Sequence, residues 1–408
     1  MNTRQTFSKV VFVSFIFSIL FFLIGANGYG VIQISSIQDL QKIGNDAGYP
    51  LNGEYELTQD IDASDTINWD SGAGFVPIGT EANPFVGKFD GNGHKIHRLY
   101  INRSEQDNVG LFGYIGTGGE VLNLGIEEGW IKGKDYTGIL AGYSGGMARN
   151  CYTTGGVSGS ENIGGLVGYN DSGTITQSYS TSVVSGFWYI GGLVGGNDGS
   201  ITQSYSMGSV SGSIASIGGL VGWNHGTITQ SYSTGVVSGS SFVGGLVGTN
   251  YGTITQSYST GRVWGSSSIG GLVGYNDDSG TITESYWDKE ASGQSTSDGG
   301  EGKTTAEMKQ QAIYVGWDFA IVWTIEEGVS YPYLRALGPT QEPTVIEIDS
   351  LSELQLVGSN WDYPMWGHYK LVVDIDASDT INWNGGAGFA PIGNNSTPFS
   401  GVFDGKYH

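Results

Sequence analysis

The chain has 408 residues, with 39 acidic against 17 basic side chains and a formal net charge of −22. That surplus of carboxylates excludes an electrostatic grip on nucleic acid, which needs cations to displace phosphate counterions. Seventy glycines without a three-residue period exclude collagen, a hydrophobic share of 38% excludes wholesale disorder, and the one cysteine, Cys151, excludes an internal disulfide.

Residues 1–28 read as a signal peptide. Arg4 and Lys9 precede the apolar run Val10–Ile24, and Ala26 and Gly28 supply a small-x-small cleavage site. No second apolar run is long enough to span a bilayer, so no membrane embedding is expected after cleavage.

Residues 31–100 form an entry module. Ile37–Gly44 predicts a short amphipathic helical turn capped by Ser36, and Tyr55–Leu57 predicts a strand. Between them and the repeats lies DIDASD, with Asp60, Asp62 and Asp65 close together.

Residues 101–287 repeat themselves. The last glycine of a GGLVG-like element falls at Gly142, Gly168, Gly195, Gly222, Gly248 and Gly274, a period of 26–27 residues. A fixed period of this size marks a solenoid. Helix periodicity is missing, and three short extended segments fit each copy; in the copy beginning at Ile190 they are Gly192–Gly195, Ile201–Ser206 and Ser209–Ser211. Asn-Asp-Gly, Asn-His-Gly and Asn-Tyr-Gly punctuate these segments with turns that tolerate positive φ. The expected fold is all-β: a parallel β-helix with three strands per coil and small capping helices. A leucine-rich repeat would need its own leucine pattern, and a propeller blade about forty residues.

Stacking at about 4.8 Å per coil places equivalent residues over one another. Leu166, Leu193, Leu220, Leu246 and Leu272 then form one buried column, and Ile175, Ile201, Ile228, Ile254 and Ile282 another. The Asn column from Asn170 to Asn276 belongs at a bend, its amides bonded to backbone or to each other, and the Tyr column from Tyr152 to Tyr286 stacks. Cys151 takes the place that Ser178, Ser204 and Ser231 hold in later copies.

Residues 288–338 form a C-terminal cap segment. It holds a predicted helix from Thr305 to Gln311 and the aromatics Trp317, Phe319, Trp323, Tyr331 and Tyr333, expected to close the far end of the solenoid. Leu337–Thr344 reads as a linker. Residues 339–408 repeat the entry module at a constant offset of 314, with a helical turn Leu351–Gly358, its cap Ser350 and a strand at Tyr369–Val372. DIDASD returns there as Asp374, Asp376 and Asp379. The copy stops within its motif, so the expectation is a truncated second module.

The pattern GGLVGxNxGxITxSYxxGxVxG, seen most plainly at 164–168, 191–195, 218–222, 244–248 and 270–274, resembles the GLUG repeat of secreted bacterial and archaeal proteins. The likeness runs from about Asn108 to Trp287. PFVGKFDGNGHKI at 84–96 and PFSGVFDGKY at 398–407 resemble the segment that precedes such repeats; TTAEMK at 304–309 and YPYL at 331–334 resemble the segment on their C-terminal side. Such repeats occur in adhesin-like surface proteins and beside the peptidase domains of immunoglobulin A-cleaving enzymes. The resemblance implies a secreted or cell-surface role and assigns no ligand.

A search for chemistry returns little. His94, His97, His225, His368 and His408 make no HExxH pair, and neither GxSxG nor a phosphate loop occurs. Asp171 and Asp198, one coil apart, are the nearest approach to a glycosidase carboxylate pair, but they sit in turn sequences without a helper Arg or His. The one metal reading is calcium at Asp60, Asp62 and Asp65 and at Asp374, Asp376 and Asp379, since grouped carboxylates ligate it. The spacing departs from an EF-hand, and a solvated acidic turn is the plainer reading. The expectation is a non-catalytic extracellular repeat protein without a cofactor, an adhesin or spacer, with surface glycans or proteins of host or neighbouring cells as partners. The rival readings are a polysaccharide-acting β-helix enzyme and the non-catalytic part of a larger secreted peptidase.

Overall fold

The structure is a computed structural model describing residues 30–339, 345–360, 362–365, 367–393, 399 and 402–405. The signal-peptide reading of residues 1–28 and most of the Leu337–Thr344 linker lie outside the described residues.

The described chain winds into a parallel β-solenoid with three sheets along its length. One sheet has ten strands, a second seven and a third nineteen short ones. In the ten-stranded sheet each coil contributes a segment such as Thr174–Thr176, and Ile175, Ile201, Ile228, Ile254 and Ile282 sit in register. In the seven-stranded sheet segments such as Val167–Asn170 stack the Asn column, and in the nineteen-stranded sheet segments such as Tyr179–Ser180 stack the Tyr column.

The interior follows from this register. All five column leucines are fully buried, and the backbone N–H of each of the first four donates to the next leucine's carbonyl, at 2.8–3.0 Å. A single coil could satisfy neither its apolar area nor its backbone donors; its neighbours supply both.

The corners differ from the sequence expectation. The Ile201–Ser206 segment is two strands, Ser200–Thr202 and Tyr205–Ser206, divided by Gln203 at φ 49°. Gln177, Gln230 and Gln256 take the same left-handed conformation. For a residue with a Cβ that conformation costs about 1–2 kcal/mol. A ladder of side-chain amides offsets it: Gln177 donates to Gln203, Gln203 to Gln230 and Gln230 to Gln256, at 3.1–3.2 Å. The Asn-x-Gly turns do not use positive φ. Their glycines are required by close approach, since a Cβ on Gly199 would stand 2.2 Å from the Gly173 carbonyl one coil away.

Both ends depart from bare edges. The helix Ile37–Lys42, capped by Ser36 through the Asp39 N–H, buries Ile37 and Leu40 in the core of the first turns. At the far end, residues 296–303 close the edge: Ser297 Oγ accepts from the Leu272 and Val273 N–H groups, and strand Glu301–Lys303 pairs with Tyr286–Asp288. The aromatic segment therefore does not cap the end. Residues 304–337 lie along the side as a strap over the Tyr column, with Trp323 6.1 Å from both Tyr232 and Tyr258 and Trp317 6.2 Å from Tyr258. The column lies outside the aliphatic core, and a bare aromatic stripe of this length would be an exposed apolar patch. The strap's helix is shorter than expected, Thr305–Met308, with a Thr304–Glu307 capping box.

The offset of 314 carries into structure. Strands Val345–Ile348, His368–Leu371 and Val402–Asp404 form a parallel sheet equivalent to the opening strands of the ten-stranded sheet. Ser350 caps helix Leu351–Leu356 as Ser36 caps its counterpart, and the Tyr369 and Tyr55 hydroxyls each donate to a proline carbonyl five residues back at 2.6 Å.

Candidate functional site

The acidic turns hold their carboxylates by separate local bonds. Asp60 accepts from the Lys95 N–H at 3.0 Å, which holds its pKa below the usual carboxylate range, and lies 3.3 Å from His94 Nδ1. Asp62 accepts from the Ser64 N–H at 2.9 Å, and Asp376 from the Ser378 N–H at 2.9 Å; these backbone bonds lower both. Asp65 and Asp379 stand in the 3-10 turns Ser64–Asn68 and Ser378–Gly386, and Asp374 lies ahead of the second of them. Among the described residues no group of three or more His, Cys, Asp and Glu is placed to hold a metal ion.

A polar network joins the entry module to the first coils. Glu127 pairs with Lys95 at 2.7 Å, receives the Tyr152 hydroxyl at 2.7 Å and lies 3.3 Å from His97. Burial pushes Glu127 upward, and these partners outweigh it, leaving the carboxyl below its usual range. Cys151 is buried among the serine column, its N–H bonded to Ser178 Oγ at 3.1 Å, and burial pushes its thiol up to about 12. A thiol held neutral in this way is no nucleophile.

The seven-stranded sheet carries a feature absent from the sequence expectation. The residue before the last of each strand stays outside the aliphatic core, and the register stacks Tyr114, Tyr143, Tyr169, Gly196, Trp223, Thr249 and Tyr275. Tyr114 and Tyr143 stack at 4.3 Å, and Tyr143 and Tyr169 lie 5.4 Å apart. Trp223 sits 5.8 Å from Tyr189 and 4.3 Å from the exposed His225, which lies 4.7 Å from Tyr251. Phe242 lies 5.4 Å from Tyr275. The Tyr169 hydroxyl donates to Asp198 at 2.6 Å, and burial, then Asp198, pushes the phenol up. The signal is present in the sequence: the variable residue of GGLVGxN is aromatic in most copies.

The architecture defines a repeat scaffold: a parallel β-solenoid whose buried columns are aliphatic, amide and hydroxyl. The GLUG motif matches residues 159–185. That match falls on one copy of the repeat, and the other copies carry the same pattern. The chain is 41% identical over 148 residues to Halomucin of Haloquadratum walsbyi, covering 35% of this chain and 2% of that protein. It is 37% identical over 99 residues to a "Putative Gly-rich membrane protein" of Evansella cellulosilytica, covering 24% of this chain and 11% of that one. The chain thus spans a small part of the curated relatives it matches. In fold it is similar to a crystal structure from Bacteroides ovatus described as a "putative immunoglobulin A1 protease", with a TM-score of 0.54 and 21% identity over 75% of this chain and 93% of that one. No helix among the described residues is long and apolar enough to cross a membrane.

Proposed function

We propose that the chain is a non-catalytic extracellular adhesive spacer, whose stacked coils set a distance and whose outer face makes the contact. The observation that carries this reading is the continuous register of the seven-stranded sheet, from Phe112–Ile115 to Val273–Asn276, with an outward aromatic row along it. Six steps of about 4.8 Å give a rigid rod segment of about 29 Å. Surface glycans, or proteins of host or neighbouring cells, are the partners that such a surface suits. A glycan array and a cell-binding assay on residues 30–408 test it: saturable binding is expected, and no binding to any surface leaves the spacer role alone. Release of new reducing ends from a bound polysaccharide would instead establish the enzymatic rival.

Calcium at the acidic turns is a separate proposal, resting on the closeness in sequence of Asp60, Asp62 and Asp65 and of their copies Asp374, Asp376 and Asp379. A calcium-dependent rise in melting temperature that Asp62→Asn abolishes supports it; melting unchanged by calcium removes it.

A further inference from the structure

We propose that the aromatic face of the seven-stranded sheet binds a linear β-1,4-linked polysaccharide bearing free amino groups. The inference rests on the adhesive reading and names its ligand class. Tyr169, Trp223 and Tyr275 occupy one strand position on alternate coils, with Gly196 and Thr249 between them. At about 4.8 Å per coil the platforms are rooted about 9.6 Å apart. That is comparable to the length of a β-1,4-linked disaccharide, in which every second sugar presents the same face. Pyranose C–H groups carry partial positive charge and suit the negative face of an aromatic ring. Between the platforms the face is low: Gly196 lies buried beside the Tyr169 ring, and buried Thr249 has its hydroxyl 2.8 Å from that of Ser216.

Charge selects among such polymers. Asp171, Asp198 and Asp277 follow the Asn column, alongside the aromatic row, and Asp198 is exposed. The ion pairs of the described residues lie elsewhere, at Lys42, Lys95, Arg98, Arg103, Lys134 and Lys303. Between Cys151 and Gly280 the only cation is Arg262, which stacks over Trp264 on a different sheet. A face of one sign repels a polyanion and favours ammonium groups by charge-assisted hydrogen bonds. Rings at disaccharide spacing beside carboxylates that have no cation partner therefore match an amino-sugar polymer better than a neutral glycan or a basic peptide.

Calorimetric titration of the chain with a fully deacetylated chitosan hexamer, an N-acetylated chitin hexamer and hexalysine tests this. The chitosan hexamer is expected to bind at least about tenfold more tightly than either of the others. Trp223→Ala should weaken it by about tenfold and Asp198→Asn by about twofold to fivefold, with a shallower salt dependence. Tyr275→Ala, at an exposed ring, gives a second reading should Trp223→Ala fail to fold. Equal binding of the chitin hexamer overturns the ammonium requirement, and equal binding of hexalysine overturns the sugar. Unchanged affinity in both aromatic variants overturns the location. Failure to bind chitosan by a chain that does bind another glycan or a cell overturns this inference and leaves the adhesive reading standing.

Discussion

The side-chain amide of Asn197 donates to the Oδ1 of Asn224 at 2.8 Å, and Asn224 hands the same bond on to Asn250 at 2.8 Å. Each amide also reaches the carbonyl of its own turn glycine, Gly199 for Asn197 and Gly226 for Asn224, at 3.4 and 3.3 Å. The ladder ties a corner of every coil to the next one while satisfying a fully buried polar group.

Asn224→Asp should make that tie pH-dependent. A protonated carboxyl can still donate to Asn250; an ionised one cannot, and it would be a buried charge. Folding therefore holds the new group neutral and raises its pKa above the unfolded value of about 3.9. Its contribution is fully present below that pH and is lost as pH rises through the raised, folded value. Denaturant melts should show the variant closest to the parent at low pH and several kcal/mol weaker, about 1–3 for each orphaned partner, at neutral pH. A deficit that does not change with pH would mean that the ladder does not hold the carboxyl neutral.

Leu220→Ala and His225→Ala separate the core from the face. Leu220 is fully buried between Leu193 and Leu246, so its truncation leaves a cavity and should cost about 2–5 kcal/mol. His225 is exposed beside Trp223 and Tyr251, and its truncation should cost less than about 0.5 kcal/mol. Chemical denaturation of both variants reads the difference directly.

Much of this is legible in the sequence, because a period of 26–27 residues puts like residues over like. The Leu, Ile, Asn and Tyr columns and the duplicated entry module come from counting alone. The left-handed corners do not, since glutamine has no preference for that conformation, and its support comes from the amide of another coil. The strap is hidden for a similar reason: its aromatics suggest a cap, but nothing in their order says that the Tyr column lies outside the aliphatic core and needs covering from the side. The aromatic face is hard to see because its row alternates Tyr169, Gly196, Trp223, Thr249 and Tyr275, and no single residue type marks it.

Gly199→Ala should be costly despite adding one methyl group. The new Cβ would meet the Gly173 carbonyl oxygen at 2.2 Å, and backbone cannot swing aside as a side chain can. A loss of about 1–3 kcal/mol is expected from overpacking, with the damage passed to the adjoining coils. Gly293→Ala is the control: nothing stands near its Cβ, so only its φ of 70° penalises the change. A larger loss at Gly293 than at Gly199 would show that conformation, not approach between coils, dictates the turn glycines.

The strap should come off the Tyr column at alkaline pH. Burial raises the phenols of Tyr258, Tyr314 and Tyr331 above their usual value, and Tyr331 is pushed further by Asp288, which accepts its hydroxyl at 2.7 Å. Tyr258 donates to the Pro332 carbonyl, a bond that a phenolate cannot make. Because the folded pKa values lie above the unfolded value of about 10, these groups contribute their full stability below that pH and lose it as pH rises through the folded values. Tyrosinate absorbance followed through an alkaline titration should show the strapped phenols ionising late, together with a change in the fluorescence of Trp317 and Trp323. Tyr258→Phe should move that joint transition to higher pH, since one group that must be held neutral is gone, although the variant starts with one hydrogen bond fewer. Phenols that titrate near 10 while tryptophan fluorescence stays constant would mean that the strap leaves the column open to water.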